Sequence, residues 1–136
     1  AKAYLAGLQE FLGKIPADNA ERLLLFGEQL YLMPEHMPAT RRLHVLRPGL
    51  HLCTVKKNRL EPAHALALAI SPQEACHSWN LSVDEARAYL AGQTFPAEGE
   101  KGWYLITVDG YSLGWGKLAG SVMKNHYPKG LRKRLY

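Results

Sequence analysis

The chain has 136 residues, the length of one domain or of two small lobes sharing an interface. With 47% apolar and 21% charged residues it has the composition of an ordinary globular domain, and its longest apolar stretch, "AHALALAI" (63–70), is far too short to span a membrane. The net charge of +5 is unevenly placed: residues 1–100 carry ten Lys/Arg against eleven Asp/Glu, whereas residues 101–136 carry seven against Asp109 alone. An acid-free basic end points to a polyanionic partner, against the plainer reading of a solvated tail. The start, "AKAYLAGLQEF", has no signal-peptide pattern, so a cytoplasmic location is expected. It begins at Ala1 rather than Met, as a piece of a longer protein or a trimmed chain would.

In chain order, "KAYLAGLQEFLGKI" places apolar residues at 5, 8, 11, 12 and 15 and predicts a helix stopped near Gly13. "AERLLLFGEQLYLMP" is ambiguous in its first half, and Gln29 to Met33 alternates as a strand ending at Pro34. Leu43 and Val45, then Leu50, Leu52 and Thr54, alternate around Pro48-Gly49, with Lys57-Asn58 as a second turn. This predicts a short antiparallel meander. Pro62 is expected to open a helix through "AHALALAI". Ser71 and Pro72 cap a second short helix, and Ser82 with Glu85 makes the capping box of a third, closed at Gly92.

From Gly99 the chain turns rich in glycine and aromatics. Residues 103–108 read as a strand apolar on both faces, Asp109-Gly110 as a tight hairpin turn, and "YSLGWGKL" as the returning strand. Gly114 and Gly116 mark a bulge or a close backbone approach. Short strands punctuated in this way predict a small, partly open barrel. The fold class is therefore α+β in two small lobes joined by short helices. The first lobe, a helix plus meander, covers 1–70 and the barrel covers 71–136.

Catalytic and metal motifs are excluded by spacing. The six histidines form neither HExxH nor a zinc-finger set, so no metal site is expected. "GYSLGWGKL" fails as a phosphate loop, because Tyr111 stands where glycine is needed and Leu118 where a hydroxyl is needed. "GWGKLA" matches the letters of a dinucleotide fingerprint but lacks the βαβ unit and the later acid. Cys53 and Cys76 form no CxxC pair and show no cue for a lowered pKa, so both are expected to be reduced, core or half-buried thiols. No catalytic residue is assigned. A small independent enzyme survives only as scattered residues that happen to converge.

The basic end is different. RNA readers combine cations for phosphate with aromatic or amide groups for bases. Lys117, Lys124, Lys129, Arg132, Lys133 and Arg134 supply the first kind, and Asn125, His126 and Tyr127 the second. Trp115 is either a further base contact or core.

"GWYLITVDGYSLGWGK" followed by "KNHYPKGLRK" resembles the C-terminal end of bacterial RsmF-type ribosomal RNA 5-methylcytosine methyltransferases. The family pattern falls on Asp109, Gly110, Tyr111, Leu113, Gly114, Trp115, Gly116 and Lys117, then on Lys124, Asn125, Tyr127, Pro128, Lys129, Gly130, Leu131 and Arg132. Ser112 departs from it, standing where relatives often have proline. "LYLMP" and "EPAHALALAI" resemble the family's adapter lobe more weakly. The resemblance implies an α/β adapter lobe and a PUA-like RNA-binding barrel. It also implies RNA, ribosomal in kind, as partner, and a methyltransferase domain in the same parent protein.

S-adenosylmethionine is implied only for that absent domain. The family's catalytic tripeptides, Thr-Cys-Thr and Pro-Cys-Ser, do not occur here, so no cofactor is expected for this chain. The competing expectation is a protein-interaction adapter that docks a catalytic domain, with the basic end incidental.

Overall fold

The computed structural model describes residues 4–13, 22–33, 49–57 and 59–132. It has an α+β fold built on two sheets. The first sheet is an antiparallel meander of β1 (Leu23–Phe26), β2 (Gln29–Leu32), β3 (Leu50–Lys56) and β4 (Arg59–Pro62), in that spatial order. Gly27, at φ 57°, turns β1 into β2. The strand expected at Gln29 is present, as is the reversal after Lys56. β1 is a strand that the ambiguous Leu-rich run did not announce. The strand expected around Leu43 and Val45 lies outside the described residues.

Two expectations are corrected here. Within the described residues 4–13, the helix predicted to run to about Gly13 is only α1 (Leu5–Leu8). Beyond it the backbone pairs with the 74–76 segment, through Gly13 N–H to the Glu74 carbonyl (2.9 Å) and Cys76 N–H to the Phe11 carbonyl (2.9 Å). Local bonds run as far as Leu12, whose N–H reaches the Leu8 carbonyl (2.9 Å), and tertiary hydrogen bonds take over at Gly13. Pro62 does not open a helix. It ends β4 opposite Cys53, on an edge strand that tolerates a missing N–H, and α2 (His64–Ala69) begins two residues later.

The short helix at Ser71 is a single 3-10 turn, Pro72–Glu74, closed by the reciprocal Ser71–Glu74 box. β5 (Ser78–Leu81), which sequence reading missed, follows it. α3 (Val83–Leu90) carries the expected Ser82–Glu85 capping box (Glu85 N–H to Ser82 Oγ, 3.2 Å), and Gly92 at φ 97° ends it.

The second sheet curls into a half-barrel of β6 (Phe95–Pro96), β7 (Gly102–Val108), β8 (Tyr111–Ala119), β9 (Val122–Asn125) and β5. Its order is β5-β7-β8-β9-β6, antiparallel except for the β5–β7 pair. The last strand does not close this sheet, because the two-residue β6 covers its outer edge.

β7 joins two cores because its side chains alternate in direction. Trp103 and Leu105 pack with Leu8, Phe11, Leu52, Cys53, Leu66 and Trp115. Tyr104 and Ile106 pack with Leu81, Tyr89, Leu118 and Met123. Residues from both sheets therefore share the first core. Among the described residues no helix is long and apolar enough to cross a membrane.

Candidate nucleic-acid interface

Three neighbouring strands place a cross-strand row on one face of the second sheet. Trp103 of β7 pairs with Lys117 of β8, which pairs with Lys124 of β9. Directly opposed residues point to the same side. The Lys117 ammonium lies 5.1 Å from the centre of the Trp103 ring, a cation–π contact that leaves Lys117 half-buried while Lys124 stands in water.

The row depends on an irregularity. The two-residue turn at Asp109-Gly110 alone would place Gly116 opposite Trp103, but the register shifts between Ile106 and Thr107 and brings Lys117 there instead. Sequence reading left Trp103 off the list of site residues. The paired glycines were the available signal, since they mark where a bulge can form.

His126 extends the row. Its ring meets Trp103 edge-on at 4.6 Å between centres, although other parts of the residue remain exposed. Burial of that contact lowers its pKa from the ordinary range. Glu61 of the first sheet opposes the shift, while Lys117, Lys124 and Arg132 add to it. Lys129 is exposed on the closing 3-10 turn, Lys129–Leu131. Lys133 and Arg134 lie outside the described residues.

Asn125, Tyr127 and Arg132 are turned toward the protein. The Asn125 amide donates to the carbonyls of Tyr89 (2.8 Å) and Gln93 (2.9 Å), and its Oδ1 accepts from the Tyr127 N–H (2.8 Å). The Arg132 guanidinium donates to the Tyr127 carbonyl (3.1 Å) and packs over Gly92. The Tyr127 ring lies against His64 and Tyr89. Together these residues clasp the chain end to the end of α3.

Trp115 is core. It is 1% exposed, donates from Nε1 to the Ala63 carbonyl (2.9 Å), and meets Phe11 edge-on. Cys53 is fully buried, and desolvation pushes its thiol up to about 12, which leaves it protonated and inert. Cys76 is exposed. Among the described residues no cluster of His, Cys, Asp and Glu is placed to hold a metal ion.

A model for the RsmF rRNA methyltransferase first C-terminal domain matches residues 8–70. A model for the methyltransferase RsmF PUA domain matches residues 76–133. Similar curated proteins include ribosomal RNA small subunit methyltransferase F of Vibrio cholerae serotype O1 (strain M66-2), 27% identical over 128 residues, which is 91% of this chain and 27% of that protein. The protein of the same name from Aeromonas hydrophila subsp. hydrophila is 28% identical over 132 residues, 93% of this chain and 27% of its own length. The chain thus spans about a quarter of the length of the curated relatives it matches.

Proposed function

This chain belongs to the C-terminal region of the RsmF-type ribosomal RNA methyltransferases, and from that premise we propose that it is a non-catalytic RNA-binding module. In this reading, the half-buried Lys117 and the exposed Lys124 and Lys129 grip phosphates and present the RNA to a methyltransferase domain elsewhere in the parent protein. The observation that carries the reading is the Lys117–Lys124 row on one sheet face, with Lys129 exposed on the 3-10 turn that follows β9. Cations on one protein face fix a backbone without reading its sequence. The residues present do not fit methyl transfer. Both family tripeptides are absent from the sequence, and the Cys53 thiol is held protonated in the core. S-adenosylmethionine then belongs to the separate catalytic domain.

The test is RNA binding by this chain at several salt concentrations. Replacing Lys117, Lys124 and Lys129 with Ala should weaken binding to every RNA. It should also flatten the salt slope by roughly 0.7 per lost contact on a single strand, about two units in all. Asn125→Ala is the control. Loss of its clasp should cost about 1–3 kcal/mol of stability by denaturant melting, with the salt slope unchanged. A triple variant that binds as tightly as the parent, with the same slope, overturns the assignment. A second role, docking of the first lobe on the parent's catalytic domain, is favoured by Leu25 and Phe26 on edge strand β1, which are 42% and 45% exposed.

A further inference from the structure

A cleft of about 460 Å³ opens beside the Trp103–Lys117 pair. That is within the roughly 300–1,000 Å³ of small-ligand sites. Both halves of the molecule line it. Gln9 and Glu10 come from the turn after α1, and His77, Glu100, Lys101 and Lys117 from the second sheet and its loops. The RNA-binding reading uses only Lys117 of these.

The walls have three kinds of chemistry. His77 lies flat on Tyr104, with ring centres 4.8 Å apart and planes at 24°. Tyr104 is buried and takes one face of the imidazole, while His77 itself is partly exposed and lines the cleft, which offers a flat ring against which a base can stack. Glu100 stands at the edge of that ring, with Oε2 3.5 Å from His77 Nε2, and Glu10 adds a second carboxylate to the lining. Lys117 lines the same cleft and continues to Lys124 in the next strand.

A site for phosphate alone has no use for two carboxylates, which repel it. A carboxylate beside a stacking surface accepts N–H donors from the edge of a base. The ammonium groups outside suit the phosphate that the same nucleotide carries.

We infer that this cleft takes a single unpaired, amino-bearing base of an RNA strand whose backbone crosses Lys117 and Lys124. The inference rests on the RNA-binding reading above. Cytosine, adenine and guanine each offer an exocyclic NH₂ to Glu10 or Glu100. Uracil offers only N3–H, set between two carbonyls that a carboxylate repels. The first lobe then contributes one wall of the base site, because Glu10 lies in the turn after α1.

Fluorescence anisotropy with cytidine and uridine hexamers tests this, because the two pyrimidines differ chiefly at the amino position. The chain should prefer the cytidine hexamer by about tenfold, the scale of one good base-edge contact. Replacing both carboxylates (E10A/E100A) should reduce the ratio to about twofold or less. The ratio is the readout, because removing two negative charges raises affinity for any polyanion. His77→Ala should weaken both hexamers and leave the salt slope unchanged. Equal affinities in the parent, or a preference that survives E10A/E100A, overturns the cleft while salt-dependent binding still upholds the RNA reading. A parent chain that binds neither hexamer nor any longer RNA overturns both.

Discussion

Asn125, His126 and Tyr127 are adjacent in sequence and have different surroundings in the fold. Asn125 and Tyr127 serve the clasp, while His126 is exposed beside the lysine row. Residue type foretold a polar, aromatic cluster, but only the local fold decides which side chain has hydrogen-bonding capacity left. His64 shows the same dependence on surroundings. Its Nδ1 is buried with no hydrogen-bond partner among the described residues, Tyr127 meets the ring edge-on, and burial lowers its pKa. A histidine whose folded pKa lies below its unfolded value, about 6.5, takes up its proton more readily when unfolded. Its contribution to stability is therefore complete above about pH 6.5 and is lost as pH falls through the folded pKa, and His126 acts with the same sign. The denaturant midpoint should fall between pH 7 and pH 5, and fall less in His64→Leu. Equal falls in parent and variant would show that His64 is not a source of the effect.

At the scale of elements, the β7–β8 hairpin organises the second lobe. Asp109 at φ 49° and Gly110 at φ 81° both occupy the left-handed region that a tight two-residue hairpin needs, which is why the Asp-Gly pair was readable. The two glycines of β8 allow close approach of neighbouring side chains. A Cβ on Gly114 would lie 2.5 Å from the Tyr89 hydroxyl, and one on Gly116 would lie 2.9 Å from the Met123 sulfur. The Tyr89 hydroxyl donates to the Trp115 carbonyl at 2.7 Å, so Gly114→Ala must displace a ring that ties α3 to the sheet. That substitution should cost about 1–3 kcal/mol in urea unfolding. Gly130→Ala, with nothing within 4 Å of the new methyl and no positive φ, should be close to neutral. Comparable losses in both would remove the packing argument. Caps and turns were legible at this scale because their chemistry is local. β1 and β5 were not, because their strand character comes from pairing with β2 and β7.

For the whole molecule, the question is whether the lobes are independent. Trp115 of the second sheet lies in one core with Phe11, Leu52 and Leu66, and hydrogen-bonds to Ala63 just before α2. Ser112 donates to the Ile70 carbonyl at 2.9 Å and ties the same strand to the end of α2. We propose that the division near residue 70 is one of architecture and that the two lobes unfold together. Trp115→Ala should cost about 3–5 kcal/mol, a large share of the roughly 5–15 kcal/mol that holds a domain folded. It should lower a single transition followed by Trp79 and Trp103 fluorescence together with circular dichroism. Separate transitions, or a stable proteolytic fragment from about residue 95 onward, would show independent lobes.

The sequence by itself determined the α+β class, the capped helix at Ser82, the Asp-Gly hairpin, the family and the acid-free basic end. Each rests on residues close together in the chain, or on composition. Tertiary structure alone decided which side of the sheet the lysines occupy. A one-residue bulge in β8 sets Lys117, rather than Gly116, opposite Trp103, and in a strand a shift of one residue exchanges the two faces. It also turned Asn125 and Arg132 inward and gathered Glu10, His77 and Glu100 around one cleft. Those outcomes depend on distances between residues far apart in sequence, which no local pattern encodes.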